Sequence, residues 1–200
     1  MPNSKPTSTV KIDEMGNGED IIPDSLASAS ETDRDILWEF DAHHSFEIMI
    51  ADNRWAAYFD DALKKDTHQL VIFTSALIED DGFSACLRWT NDAEMHALNA
   101  QFRDKDKATN ILSFPNDFGQ EEGALLHLGD MAFGFDTIAQ EAQDMAISVD
   151  AHMRHLIIHG LLHLIGFDHE QEEDAAEMEA LEIAALSVIG IANPYQGELA

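Results

Sequence analysis

Three histidines, His159, His163 and His169, lie close together in the sequence at a spacing that suits metal binding. Residues four apart on a helix share one face, with Cβ atoms about 5–6 Å apart, so two imidazoles could hold one ion. Gly166 can adopt the left-handed conformation that ends a helix, which would bring the third histidine to the same point. Three imidazoles suit zinc, and three protein ligands leave one tetrahedral position to water, as in catalytic sites. The spacing therefore predicts one Zn²⁺ ion bound by these histidines.

A structural role for these histidines is the alternative. The chain contains 10 histidines, so some pairs at this spacing arise by chance, and a histidine on an amphipathic helix is usually a hydrogen-bonded structural residue. The pair, the glycine and the third histidine together reproduce the metzincin-like spacing HxxxHxxGxxH of long zinc-hydrolase motifs, which favours metal binding. His155 and His159 form a second pair that lacks the turn and the third ligand. We interpret His152 and His155 as residues that support the ligands or lie on the surface.

Gly160 directly follows the first histidine of the motif. Several zinc hydrolase families have a glutamate at this position, where it takes a proton from the zinc-bound water. Its absence argues against a peptidase of the usual kind. A phosphodiester reaction could proceed with less help, because zinc brings the pKa of water to near 7 and also neutralises a phosphate oxygen.

A basic cluster and a carboxylate within an apolar strand are further candidates. Arg103, Lys105 and Lys107 lie just before a predicted strand, where they could contact phosphate or form an ordinary solvated loop. Asp130 interrupts an apolar run, so its carboxylate is either hydrogen-bonded to backbone or turned toward a site. His127 is interpreted as an ordinary strand residue.

The chain of 200 residues carries 39 acidic and 11 basic residues, a net charge of −28 that should repel a polyanion at long range. The basic residues are unevenly distributed, since residues 108–200 contain one, Arg154. The charge therefore argues against a nucleic-acid partner, and the concentration of basic residues around Arg103 weakens that argument.

The single cysteine, Cys86, cannot form an intrachain disulfide, and no signal-like segment opens the sequence. A cytoplasmic enzyme is expected. The longest apolar run, Leu156–Phe167, contains two histidines and is too short to span a bilayer. No membrane partner is expected.

The sequence predicts a mostly disordered acidic extension over residues 1–41 and a single domain over residues 42–196. Strands are predicted at His44–Ala51, Phe83–Trp89, Thr109–Phe114 and Leu125–Phe133. Helices are predicted after Asp52, over Leu70–Ile78 (where a strand is the alternative), after Thr90 or Asn91, from Asp136 to Met145, after Asp150 and over Glu172–Val188. This order indicates an α+β fold with a small mixed sheet packed with helices.

The run from His159 to His169 resembles HGxLHLxGYDH, the hallmark of the YbeY family of bacterial rRNA maturation factors. Phe167 stands where the family more often has Tyr, which removes a hydroxyl and leaves the ligands. The resemblance covers roughly residues 46–195 and excludes the N-terminal extension. It also includes Leu98-Asn99 through Arg103, Lys105-Asp106-Lys107, Thr109 to Pro115, Leu128-Gly129-Asp130 and Met178-Glu179.

The resemblance implies a single-strand-specific, zinc-dependent endoribonuclease that acts in rRNA maturation, at the 3′ end of small-subunit rRNA, and in ribosome quality control. It implies zinc ligands at His159, His163 and His169 and a functional arginine at Arg103. The expected partners are single-stranded rRNA and the small ribosomal subunit, with no DNA. The alternative is a non-catalytic ribosome-assembly factor with a structural zinc; a metallopeptidase is a weaker third hypothesis.

In the catalytic hypothesis, Arg103 steadies the phosphate as charge builds on it, and Lys105 and Lys107 contact the substrate. Asp168 and Asp130 are candidates for orienting the imidazoles or the basic loop. The sequence names no general base.

Overall fold

The computed structural model describes residues 34–79, 82–116, 125–169 and 171–195. Within these ranges lie five strands and five α-helices, with a short 3-10 helix at Asn53–Ala57. The strands are β1 (Arg34–Glu39), β2 (His44–Ile50), β3 (Phe83–Thr90), β4 (Ile111–Pro115) and β5 (Leu126–Gly134). The helices are α1 (Asp61–Ile78), α2 (Asp92–Arg103), α3 (Phe135–Asp144), α4 (Val149–Leu164) and α5 (Glu172–Val188).

The strands form one mixed sheet in the order β1-β2-β3-β5-β4. β2, β3 and β5 are parallel to one another, while β1 pairs antiparallel with β2 and β4 pairs antiparallel with β5. Among the described strands, β1 and β4 are therefore the edges. This architecture confirms the predicted α+β class with a small mixed sheet.

Different helices cover the two faces of the sheet. On one face, apolar residues of β2 and β3 share a core with α1, α4 and α5. α2 packs through Met95 and Leu98 against Leu112 of β4 and Ala132 of β5. The neighbours of these strand residues face α4, and side chains alternate along a strand, so α2 lies on the opposite face.

The helix α4 lies at the centre of the helical layer, against β4, β5, α1, α3 and α5. Buried residues occur on all its sides, as expected for a helix enclosed in a core. Arg154 is 4% exposed and donates through Nε to Asp66 of α1 at 2.8 Å. The histidines of α4 are therefore carried by an element fixed on several sides. None of the helices in the described ranges combines the length and the apolar character needed to cross a membrane.

The predicted disorder of residues 1–41 is wrong for residues 34–39, which form β1. This short strand pairs with β2 along its whole length, and Trp38 is 6% exposed, packed against the ring of Phe59 at 5.5 Å. The polar composition of the N-terminal region predicts disorder, but the region contains one short apolar stretch, Ile36–Trp38, that pairing with β2 stabilises. Residues 1–33 lie outside the described part, and the division of the chain into two regions stays a prediction.

Several predicted helix starts are displaced. Asp52 accepts a hydrogen bond from the Arg54 N–H, but the helix that it begins is the short 3-10 helix, and α1 starts later, capped by Asp60. Ser148, not Asp150, caps α4, and α3 begins after Gly134 without a side-chain cap. For α3 and α4, the predicted acidic cap lies two residues after the residue that precedes the helix, whereas Asp52 lies eight residues before Asp60.

Other predictions are confirmed within a few residues. The helix over Leu70–Ile78 is the second half of α1, which ends at Glu79 in a left-handed conformation. Asn91 caps α2 by accepting from the Glu94 N–H, and α5 spans Glu172–Val188 as predicted. The four predicted strands correspond to β2, β3, β4 and β5.

Candidate metal centre

The end of α4 and the turn after it bring the three predicted histidines together. Gly166 has φ +96°, and its N–H donates to the His163 carbonyl at 3.0 Å while the Phe167 N–H donates to the Leu162 carbonyl at 3.0 Å. The turn thus closes the helix and returns the chain toward it. One nitrogen from each of His159, His163 and His169 lies within 4.8 Å of the others. The predicted clustering of the motif histidines is confirmed.

The hydrogen bonds of two of these rings determine which nitrogen is available. Nδ1 of His163 lies 2.9 Å from the Phe167 carbonyl oxygen, which can only accept, so this nitrogen carries the proton. Nδ1 of His159 donates in the same way to Glu182 Oε1 at 2.8 Å. In the neutral rings, both Nε2 atoms then present lone pairs, and these two atoms are 3.1 Å apart. Two facing lone pairs repel unless a cation lies between them, so the donor set fits a metal ion.

The protonation of His163 favours the same conclusion. Burial, together with the neighbouring His159 and His169, lowers the pKa of His163 to about 4. The imidazole is therefore neutral at neutral pH, which is the form that binds a metal.

Glu182 is a functional candidate that the sequence analysis missed. Its side chain is 1% exposed and accepts from Nε2 of His155 at 2.7 Å, from Nδ1 of His159 and from the Tyr195 hydroxyl. Burial alone would raise the pKa of this carboxyl, but the hydrogen bonds outweigh it and hold the pKa at about 2. The carboxylate is thus ionised and can only accept. A signal existed, because Glu182 occupies a core position four residues after Met178, where a carboxylate requires partners.

Gly160, which stands where several zinc hydrolase families have a glutamate, lies close to the sheet. A Cβ at this position would lie 2.3 Å from Met131 Sδ and 2.8 Å from Ile111 Cδ1. Position 160 therefore faces the sheet, and the carboxylate that peptidases use there would require the side chains of Met131 and Ile111 to move.

Arg103 is anchored on the strand that packs against α4. Its Nη2 donates to the Ser113 carbonyl of β4 at 2.9 Å, and Ser113 Oγ is 3.3 Å from where a Cβ of Gly160 would be. Arg103 as a whole is an exposed residue. The structure thus brings the predicted arginine to β4, beside the helix that carries the histidines.

The basic loop is shaped by Asn99, which is 2% exposed. Its side-chain amide donates to the Lys107 carbonyl at 2.7 Å, and its own carbonyl accepts from the Lys105 N–H at 3.1 Å. Both lysine side chains are exposed. The loop therefore has a defined backbone that presents two cations to solvent.

The two predicted supporting aspartates have different surroundings. Asp168 is exposed and accepts from the His169 N–H at 2.7 Å, so it shapes the turn beside the cluster. Asp130 lies on β5, with Oδ1 at 3.5 Å from Nε2 of His127, close to Cys86 on β3. Burial, with the Asp130 charge, raises the pKa of the Cys86 thiol to about 12. Among the described residues, Asp130 therefore lies beside other residues of the sheet and not beside the three histidines.

The two neighbouring histidines of α4 are both buried or nearly so. His152 is 2% exposed and pairs through Nε2 with Glu141 at 2.8 Å, while His155 shares Glu182 with His159. The interpretation of His155 as a supporting residue agrees with this contact, whereas His152 links α4 to α3.

The α+β fold and the cluster at the end of α4 define a protein with a candidate three-histidine metal site on one helix and its following turn. The family described as Endoribonuclease YbeY matches residues 47–190, and the chain belongs to this family. The resemblance predicted from the motif is confirmed.

The chain is similar to proteins named Endoribonuclease YbeY. The one from Chelativorans sp. is 42% identical over 155 residues, which cover 76% of this chain and 93% of that protein. The one from Sphingopyxis alaskensis is 50% identical over 117 residues, 54% of this chain and 69% of that protein. A Thermotoga maritima protein of known solution structure matches with a TM-score of 0.50 and 22% identity, covering 72% of this chain and 88% of that one. This last likeness concerns the fold alone.

Proposed function

We propose that this protein is a zinc-dependent endoribonuclease that cleaves single-stranded RNA in the cytoplasm. Its substrate in this proposal is rRNA of the small ribosomal subunit, at the 3′ end, with a further role in ribosome quality control. The relatives named Endoribonuclease YbeY support the reaction class. The observation that carries the proposal is the pair of Nε2 atoms of His159 and His163, 3.1 Å apart, with His169 beside them.

The three histidines would hold one zinc ion through neutral imidazole nitrogens, a donor set that suits this metal. When bound, zinc supplies Lewis acidity that stabilises charge on a phosphate oxygen and lowers the pKa of water. The histidine residues themselves supply orientation, because Glu182 and the Phe167 carbonyl hold two of the rings.

Arg103 would bind the phosphate group. One of its N–H groups is committed to the Ser113 carbonyl, which fixes the guanidinium while leaving other donors for phosphate oxygens. Lys105 and Lys107 would contact the RNA backbone from the adjoining loop. Because the whole chain carries a net charge of −28, these few cations would act locally, and RNA binding should weaken steeply with salt.

Two alternatives are less well supported. A structural zinc is usually held by four protein ligands, and the cluster found among the described residues has three. A peptidase of the usual kind would need a base at position 160, where this chain has a glycine that lies close to Met131. Both observations favour the nuclease over a non-catalytic assembly factor or a peptidase.

The decisive experiment incubates the purified full chain with single-stranded RNA, double-stranded RNA and a protein substrate, with and without a chelator. His163→Ala removes one ligand, and His43→Ala is the matched control because His43 is an exposed histidine in the loop between β1 and β2. We expect cleavage of single-stranded RNA that zinc restores after chelation, that His163→Ala abolishes and that His43→Ala retains.

Stable binding of RNA or ribosomal subunits without cleavage would support the assembly-factor alternative. Equal cleavage by the wild type and His163→Ala would indicate a contaminating nuclease and contradict the proposal.

A further inference from the structure

Glu182 connects the cluster of three histidines to two residues outside it. Oε1 accepts from Nδ1 of His159 at 2.8 Å, whereas Oε2 accepts from Nε2 of His155 at 2.7 Å and from the Tyr195 hydroxyl. One carboxylate of α5 therefore joins a candidate ligand, a second histidine of α4 and the segment that follows α5.

The two donors on Oε2 restrict the carboxylate. The rings of His155 and Tyr195 pack edge to face with centroids 5.7 Å apart, so each also limits the movement of the other. Nδ1 of His155 is buried and has no hydrogen-bond partner among the described residues. The hydrogen bonding of this ring is thus directed at Glu182 and Tyr195.

Which ring nitrogen of His159 carries the proton depends on this arrangement. An imidazole with its proton on Nε2 has no lone pair there and cannot bind an ion through that atom. An ionised carboxylate at Nδ1 holds the proton on the far side of the ring. The carboxylate is 1% exposed, so water does not replace it readily.

We propose that Glu182 and Tyr195 are positioning residues of the metal site, an inference that rests on metal binding in the proposed function but not on its RNA substrate. Glu182 keeps the proton of His159 on Nδ1 and directs Nε2 to the ion. The Tyr195 hydroxyl keeps Glu182 in the rotamer that does so. Removing such a partner of a metal-binding histidine typically lowers metal affinity about 10–100-fold.

The test measures Zn²⁺ affinity of the full chain by competition with a chromophoric chelator, together with ¹H–¹⁵N spectra of the histidine rings. Glu182→Gln keeps the volume and removes the charge, and Tyr195→Phe removes one hydroxyl. Glu141→Gln is the matched control. Glu141 of α3 pairs at 2.8 Å with His152, which lies on α4 as His159 does. We expect Glu182→Gln to lower the affinity about 10–100-fold and to add the Nε2–H form of His159 to the spectra.

Tyr195→Phe should lower the affinity by a smaller factor, and Glu141→Gln should leave it unchanged. The inference is overturned if Glu182→Gln and Tyr195→Phe both bind zinc as the wild type does, or if Glu141→Gln weakens binding as much as Glu182→Gln. Should Glu182→Gln fail to fold, Tyr195→Phe decides alone. Because affinity is measured without RNA, a wild-type protein that binds zinc and cleaves nothing contradicts the proposed function only.

Discussion

Two histidines of α4 each form a hydrogen bond with a glutamate at 2.8 Å, but only one of them belongs to the cluster of three histidines. Nε2 of His152 pairs with Glu141, and the buried Nδ1 of the same ring has no hydrogen-bond partner among the described residues. His159 gives Nδ1 to Glu182, which leaves Nε2 facing His163 at 3.1 Å. The difference teaches that a carboxylate partner does not identify a ligand, whereas the surroundings of the second ring nitrogen do.

The geometry of the ring explains why the two ends of α4 differ. Nδ1 lies close to the helix backbone, while Nε2 is at the tip and reaches farther. When the tip pairs with a glutamate of another helix, as Nε2 of His152 does with the half-buried Glu141 of α3, the residue links helices. When the tip is left free, as in His159 and His163, the residue can bind an ion.

Replacing each of these paired histidines by alanine tests the comparison most directly. His159→Ala removes a donor to the ion and should lower zinc affinity by more than about 100-fold, a larger effect than loss of a supporting partner. His152→Ala should leave zinc affinity unchanged and lower the free energy of unfolding by about 1–3 kcal/mol, because the buried His152 ring and its hydrogen bond to Glu141 are lost. Chelator competition and urea unfolding measure the two quantities. Equal losses of affinity in both variants would contradict the comparison.

Arg103 sharpens the comparison at the end of α4 that carries the three histidines, since among the described residues its hydrogen bond goes to the Ser113 carbonyl of β4 and not to an imidazole. We expect Arg103→Ala to lower kcat for RNA cleavage about 100-fold, the effect of losing one donor to a developing negative charge. Zinc affinity should not change. Arg34→Ala is the control, because Arg34 is an exposed arginine of β1. A large loss of zinc affinity in Arg103→Ala would instead assign the arginine a role in folding the site.

Two glycines near the cluster should respond to alanine for different reasons. Gly160→Ala places a methyl group 2.3 Å from Met131 Sδ, and it should destabilise the protein by about 1–3 kcal/mol. The methyl group of Gly166→Ala meets no atom of the described residues within 4 Å, but the φ of +96° disfavours a side chain by about 1–2 kcal/mol. Because Gly166 directs the turn to His169, we expect only Gly166→Ala to lower zinc affinity as well. Unfolding curves and chelator competition on both variants separate the two effects.

The pH dependence of stability without metal should report on His163. Its pKa is lowered to about 4 from the ordinary value of 6.5, so between these values the unfolded chain binds more protons than the folded one. The free energy of unfolding should therefore fall as pH falls from 6.5 to 4. His163→Gln should show a shallower fall over the same window, measured by urea unfolding in the presence of a chelator. Identical slopes would indicate that His163 is not buried as a neutral ring.

The three histidines could be predicted from the sequence because local geometry determines their positions. A spacing of four on a helix and a glycine three residues later place the donors with no information about the rest of the fold. The last helix, Glu172–Val188, was predicted for the same reason, since its limits depend on its own sequence.

Residues that act across elements could not be predicted in this way. Glu182 reaches His159 only because α5 packs along α4. The packing of two helices against each other could not be predicted from the pattern within either one. Likewise, the sequence shows at Gly160 only that the usual base is absent. The structure adds a physical reason for the glycine, which is the close approach of Met131 and Ile111. β1 was missed because its stability comes from pairing with β2.

The atom that holds His163 belongs to the main chain, since the Phe167 carbonyl accepts its Nδ1 proton. Every amino acid brings the same oxygen to this place, so the identity of residue 167 can vary over evolution without disturbing that ring. The Tyr that the resemblance leads us to expect at this position would therefore leave the His163 ring as the Phe found here does. His159 has no such protection, because its support comes from a side chain that a single base change could remove.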